Sequence, residues 1–160
     1  MQKNRYSVPN MRVYATNRKA KFDYEILETF EAGLMLQGQE VKSVRGGHIT
    51  LTGSFVTFRG DIPQLTNSRV SPYPQANGTL PADYDPERSR PILLNRQEIN
   101  YLRGKLQTEG LTIIPLSIYT KGRHIKVEIA LARGKKKYDK REAIKRREIE
   151  REISRKLKSF

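Results

Sequence analysis

Large apolar and acidic residues alternate along Phe22-Asp23-Tyr24-Glu25-Ile26-Leu27-Glu28. A period of two predicts a half-buried β-strand with Phe22, Tyr24 and Ile26 on one face. Gly33 is expected to break that strand, and Leu34-Met35-Leu36 resumes an apolar run. Glu40-Val41-Lys42-Ser43-Val44 fits a short helix stopped at Gly46-Gly47, where glycine supplies left-handed backbone freedom. Ser54-Phe55-Val56-Thr57-Phe58 and Ile62-Pro63-Gln64-Leu65 flank Arg59-Gly60-Asp61 and read as a hairpin, with the RGD triplet its turn rather than an adhesion motif.

Residues 66–91 hold five of the eight prolines (Pro72, Pro74, Pro81, Pro86 and Pro91) and Asn77-Gly78, so they read as a long irregular connection without its own core. Next, Asn95 followed by Glu98 makes an N-cap with a capping-box partner. Ile99, Leu102 and Leu106 recur at helical spacing until Gly110. Leu111 to Tyr119 is β-rich, Lys121-Gly122-Arg123 is a turn, and Ile125, Val127, Ile129 and Leu131 alternate with Lys126, Glu128 and Ala130. The fold predicted from this order is mainly β with short helices: an OB-like small antiparallel barrel, of a kind whose faces commonly bind nucleic acid. An open α+β sheet with the helix on one face is the alternative.

With 160 residues, the chain has the size of one domain plus a tail. Apolar residues make up 36%, below the roughly 45–50% usual in globular chains, so part of the chain is expected to lie outside the core. The net charge of +14 is segregated. Residues 1–21 carry Lys3, Arg5, Arg12, Arg18, Lys19 and Lys21 and no acidic residue, whereas residues 22–132 are neutral, with twelve charges of each sign. Residues 133–160 add thirteen basic and five acidic residues, which makes this end the second cationic surface.

A neutral body with two basic ends suits a polyanion, because each Lys or Arg that meets a phosphate releases condensed counterions. Solubilising termini and a membrane surface are the plainer alternatives. An organelle transit peptide would need an amphipathic helix that Pro9 interrupts.

In the tail, Ile149, Ile153, Leu157 and Phe160 form a stripe too thin to offset ordering entropy. The expectation is a tail over 133–160 that is disordered when free and helical when bound, reaching about 33 Å over residues 139–160. The body over 1–132, with its basic leader, is the other unit.

Absence of cysteine excludes disulfides, thiolate zinc sites and cysteine nucleophiles. No apolar run approaches the ~18 residues of a membrane span, and the start has no signal-type apolar run, so a cytoplasmic protein is expected. No carboxylate cluster suggests a metal, and no cofactor is implied. A metal-independent ribonuclease using His48 and His124 as base and acid is the enzymatic competitor, set aside because each histidine sits at a turn or strand start.

The ordered segments Asn17-Arg18-Lys19-Ala20, Phe30-Glu31-Ala32-Gly33, Glu40-Val41-Lys42-Ser43 and Gly134-Lys135-Lys136-Lys137-Tyr138-Asp139-Lys140-Arg141 together resemble the small protein B (SmpB) family, the SsrA-binding (tmRNA-binding) proteins of bacterial trans-translation. The match runs nearly end to end. The resemblance implies a non-enzymatic adaptor: an OB-like barrel holds the tRNA-like domain of tmRNA, and a basic tail folds in the empty decoding centre and mRNA channel of a stalled ribosome. It also implies one copy in the complex.

By position, the resemblance puts Asn17, Arg18, Lys19, Phe22, Glu31 and Leu93 on the tmRNA face, and Gly134, Lys135, Lys136, Tyr138, Asp139, Lys140 and Arg141 in the ribosomal step. Phe22 replaces a frequent histidine but keeps a ring that can stack on a base. Gly53 replaces an acidic residue and Pro91 a lysine. Taken alone, Glu31 is equally a hairpin-edge salt bridge, Leu93 a core residue and Tyr138 a solvated ring. A basic ribosomal or other rRNA-binding protein is the remaining alternative.

Overall fold

The computed structural model describes residues 11–74 and 80–159, without the side chain of Tyr138. Expectations placed on Lys3, Arg5, Pro9, Asn77-Gly78 and Phe160 lie outside the described residues. In chain order the elements are β1 (Arg12–Thr16), α1 (Ala20–Asp23), β2 (Tyr24–Leu34), α2 (Gly38–Arg45), β3 (Ile49–Thr50), β4 (Phe55–Arg59), β5 (Ile62–Thr66), β6 (Arg69–Val70), β7 (Arg90–Leu93), α3 (Arg96–Leu106), β8 (Leu111–Lys121), β9 (His124–Gly134) and α4 (Lys137–Lys158). One antiparallel sheet runs β1-β8-β9-β2-β7-β5-β4, and β3 pairs with β6 in a separate ribbon. Its edge strand β4 packs against β8, so the sheet curls toward itself.

The alternation of the long hairpin holds in space. Ile125, Val127, Ile129 and Leu131 join Ile113, Ile118, Leu65, Ile92, Leu102 and Val44 in the main core. On the opposite face of the same strands, Ala20 of α1 covers Ile114, Ala130 and Ala132. Pro115 sits where the β8–β9 register slips between Pro115 and Ser117, a place open to a residue with no N–H to give. At α3 the Asn95 side chain accepts from the Glu98 N–H at 2.9 Å, and Glu98 answers to the Asn95 N–H at 3.3 Å. Asn95→Ala should therefore cost about 1 kcal/mol. Urea unfolding with an unchanged slope would register it.

Three expectations are corrected. Phe22 lies in the single turn α1 rather than on the strand, because Ala20 must reach down onto Ala130 and Ala132 before β2 starts at Tyr24. Gly33 does not break β2, which runs to Leu34; there glycine serves close approach, since a Cβ would stand 3.3 Å from Leu93 Cβ. Finally, the proline-rich connection is not structureless throughout. It contains β6 and enters β7 at Arg90, and Tyr84 donates to the Val70 carbonyl at 2.8 Å.

Arg90 explains how that long connection is held. Its guanidinium, fully buried, donates to the Glu40 carboxylate of α2, to the Ser68 carbonyl at 3.1 Å, to the Arg88 carbonyl at 2.8 Å and to the Pro86 carbonyl at 3.1 Å. Arg88 reaches the other Glu40 oxygen. Glu40 and its two arginines thus gather α2, the residue before β6, the connection and β7.

Candidate nucleic-acid interface

The site begins with a bulge. Register between β2 and β9 shifts between Ile26 and Glu28, leaving Leu27 as the extra residue. Upstream of it, Tyr24 and Ile26 pack under α1 with Ala130 and Ala132. Downstream, Phe30 and Ala32 enter the main core, so the odd-numbered Glu31 and Gly33 take the outer face. They stand opposite Glu128 and Lys126 of β9, and Gly33 also pairs with Leu93 of β7. One continuous face results, running from α1 across Glu31 to Leu93.

That face collects residues far apart in sequence. Arg18 and Lys19 are exposed at the α1 end, held there because Asn17 donates its side-chain amide to the Pro115 carbonyl at 3.0 Å and its N–H to the Leu116 carbonyl at 2.7 Å. Asn17 therefore positions its basic neighbours. Leu93, at the far end, is 60% exposed, which corrects its reading as a core residue. Beside it lies a groove of about 220 Å³, floored by Gly33, Leu34, Leu36 and Val41 and edged by Arg45, Arg123 and Lys126. An apolar floor with a cationic rim can take an unpaired base or ribose while the rim meets phosphates.

Between these ends both oxygens of Glu31 are already engaged. The Tyr119 hydroxyl donates to Oε2, and Lys121 Nζ donates to Oε1 at 3.1 Å. Burial pushes the Glu31 carboxyl up, but those two donors, with the charges of Lys121 and Lys126, outweigh it and hold the carboxyl below its usual value. Across the strand, Glu128 is raised: burial is the main cause, and the Glu31 charge adds to it against the opposing pull of Lys21. Through its bond to Nζ, Glu31 fixes Lys121 on the face.

Sequence reasoning missed Tyr119 and Lys121 as parts of this face. The outward alternation of Lys126 and Glu128 was the available signal, and Tyr119 pairs with Lys126 in register.

Among the tail residues, Lys135 and Lys140 turn back to the body. The Lys135 N–H donates to the Asp23 carbonyl at 2.9 Å, its Nζ to the Lys21 carbonyl at 2.9 Å, and Lys140 pairs with Asp23 at 3.2 Å. Asp139 caps α4 by accepting from the Lys136 N–H at 3.3 Å. Gly134 is the last residue of β9, and Lys136 and Arg141 are exposed. Residues 148–158 are exposed throughout.

The two histidines stand on separate elements. His124 opens β9 at the groove, and His48 follows α2, its N–H bonded to the Ser43 carbonyl. Among the described residues no group of three or more His, Cys, Asp or Glu is placed to hold a metal ion, and no helix is long and apolar enough to cross a membrane.

Comparison with known proteins gives the same direction. A family model described as SmpB protein matches residues 14–159. The chain is similar to an SsrA-binding protein of Coxiella burnetii, with 49% identity over 159 residues covering 99% of each chain. It is 50% identical to one of Chloroflexus aggregans over 149 residues, 93% of each. An SsrA-binding protein of Enterococcus faecalis is 47% identical, over 92% of this chain and 94% of that one. Among solved structures, a chain from work described as "tmRNA-SmpB: a journey to the center of the bacterial ribosome" superposes with a TM-score of 0.64 and 44% identity, over 82% of this chain and 94% of that one.

Proposed function

The chain belongs to the SmpB family, and from that premise we propose how its two surfaces divide the work. It is an SsrA-binding protein of tmRNA-mediated trans-translation on the ribosome, a binding protein and not an enzyme. The body over 1–132 is an OB-like barrel, a reading supported by the packing of edge strand β4 on β8. Its outer face takes the tRNA-like domain of tmRNA. Arg18 and Lys19 meet phosphates, and Leu93 lies against an unpaired base or ribose. Glu31 serves the RNA through Lys121, whose ammonium it orients rather than contacting a base itself. The tail over 133–160 supplies the ribosomal step in the empty decoding centre and mRNA channel, through Gly134, Lys135, Lys136, Tyr138, Asp139, Lys140 and Arg141. One copy acts per complex, in the cytoplasm.

The observation that carries this is the single face on which Arg18, Lys19, Glu31, Lys121, Lys126 and Leu93 converge from five separate elements and connections. Glu31→Arg would remove the acceptor of the Tyr119 hydroxyl bond and repel Lys121. It should weaken binding of the tRNA-like domain of tmRNA about ten- to hundredfold, the worth of one to two charged hydrogen bonds. Titrations at fixed salt against both that domain and an ordinary tRNA decide the matter. Unchanged affinity, or an equal loss for both RNAs, would remove Glu31 from the specific face.

A further inference from the structure

Glu31 and Glu128 stand opposite one another across β2 and β9, on the outer side of the sheet. Their surroundings differ. Both Glu31 oxygens are taken, one by the Tyr119 hydroxyl and one by Lys121 Nζ. The half-buried Glu128 carboxylate makes no hydrogen bond or ion pair with any of the described residues; Lys21 of α1 and Glu31 act on it through their charges alone. On its other flank Ser117 of β8 is in register with it. Like charges directly opposite on a sheet cost stability, so the fold gains nothing from a second carboxylate here.

The position of Glu128 is central. Strand β9 lies between β8 and β2. Along the face, Glu128 falls between the α1 end, with Arg18, Lys19 and Lys21, and the groove end, with Arg45, Arg123 and Lys126. Cations at both ends draw RNA phosphates there, while a carboxylate between them repels phosphate. What a free carboxylate accepts is an N–H or O–H donor. Guanine carries two donors side by side, N1–H and the N2 amino group, matched to the two oxygens of a carboxylate, and an unpaired guanine presents both on its open Watson–Crick edge.

We propose that Glu128 is a specificity-determining residue of the RNA face, its carboxylate accepting both donors of one unpaired guanine while the basic ends hold the flanking phosphates. The assignment rests on the tmRNA reading of this face and adds a base contact to it. It also gives the two facing carboxylates separate tasks. Glu31 orients Lys121, and Glu128 reads the RNA.

Glu128→Gln tests this with a sign that charge alone does not share. Removing a negative charge from an RNA face should tighten binding of every RNA. Removing the acceptor should instead weaken binding of the tRNA-like domain of tmRNA about tenfold, the worth of one charged hydrogen bond. An ordinary tRNA should bind the variant as well as before or more tightly, and the salt dependence should keep its slope, because no phosphate contact is lost. Burial pushes the Glu128 carboxyl up, so the ionised group opposes folding and the variant should unfold at no lower urea concentration. Kethoxal, which modifies N1 and N2 of unpaired guanines, identifies the contact: the unaltered chain should protect a guanine of the domain that Glu128→Gln leaves reactive. Unchanged or tighter binding of the domain by the variant would overturn the proposal. So would protection lost only at adenine or cytosine toward dimethyl sulfate, or only at a ribose toward 2′-hydroxyl acylation. If Glu31→Arg weakens binding and Glu128→Gln does not, the face stands and only the guanine contact falls. If the unaltered chain shows no preference for the domain over ordinary tRNA, the tmRNA reading itself falls.

Discussion

Removal of residues 133–160 is expected to abolish rescue of stalled ribosomes while leaving affinity for the tRNA-like domain of tmRNA within about threefold, well under one phosphate-bearing hydrogen bond. The reason is spatial. Every residue placed on the RNA face lies between Asn17 and Glu128 and is held by the sheet, by the Asn17 bonds to the Pro115–Leu116 bulge, and by Tyr119 and Lys121 around Glu31. Residues 148–158 of α4 are exposed throughout, and what the deleted segment contacts on the body, the Phe22 ring and Asp23, is uncovered rather than removed. The missing segment nevertheless carries thirteen of the 31 basic residues, so non-specific RNA binding should fall and its salt dependence flatten. Filter binding across a salt series, together with a tagging assay on ribosomes stalled on truncated message, separates the two effects. A loss of tmRNA affinity as large as the loss of rescue would refute the division of labour.

Glu40→Ala is expected to cost about 3–5 kcal/mol of folding stability, the penalty for leaving one partner of a buried ion pair charged and alone. Against the roughly 5–15 kcal/mol that holds a domain together, this is a large fraction. Glu40 is 1% exposed and Arg90 0%, so water has no access to the orphaned guanidinium. Loosening should spread to β7, which carries Leu93, and to α2, which lines the groove.

The same pair gives a pH signature. Burial pushes the Glu40 carboxyl up, but the Gln37 N–H, Arg88 and Arg90 overcome it and hold the folded-state value below the usual one of about 4.5. A depressed carboxyl contributes stability in full above that unfolded value and loses it as pH falls through the folded one. The unaltered chain should therefore lose stability on acidification below about pH 4.5, and Glu40→Ala should lose less of what remains. Guanidinium melts at pH 7 and at acid pH measure both quantities. A cost under 1 kcal/mol at neutral pH would mean that Arg90 is hydrated in solution.

How far the site was legible varies with the kind of signal. Local rules read well wherever one residue sets one backbone state. The Asn95–Glu98 capping box, the stop at Gly46-Gly47 and the turns at Gly60 and Gly122, with φ of +64° and +62°, all appear as the composition requires. Period-two patterning likewise placed Lys126 and Glu128 outward on the hairpin. The same rule failed at Phe22, because α1 is a turn whose place is set by Ala20 packing on β9, a partner more than a hundred residues away. Register matters again at Glu31, where unbroken parity would set it on the face opposite Tyr24 and Ile26 and the bulge at Leu27 brings all three to one face.

By itself, then, the sequence determined the charge layout, a neutral body between two cationic ends, and the order and type of most elements. Both follow from side-chain chemistry and short-range periodicity, which any stretch of chain carries within itself. Only the tertiary structure decided which residues share a face: that Leu93 is exposed, that Tyr119 and Lys121 hold Glu31, that Glu40 and Arg90 meet in the core, and that Phe22 faces the tail. Those facts depend on register, and a slip of one residue in a strand moves every side chain to the opposite face. Register is fixed by how distant strands pack together, which no local window contains.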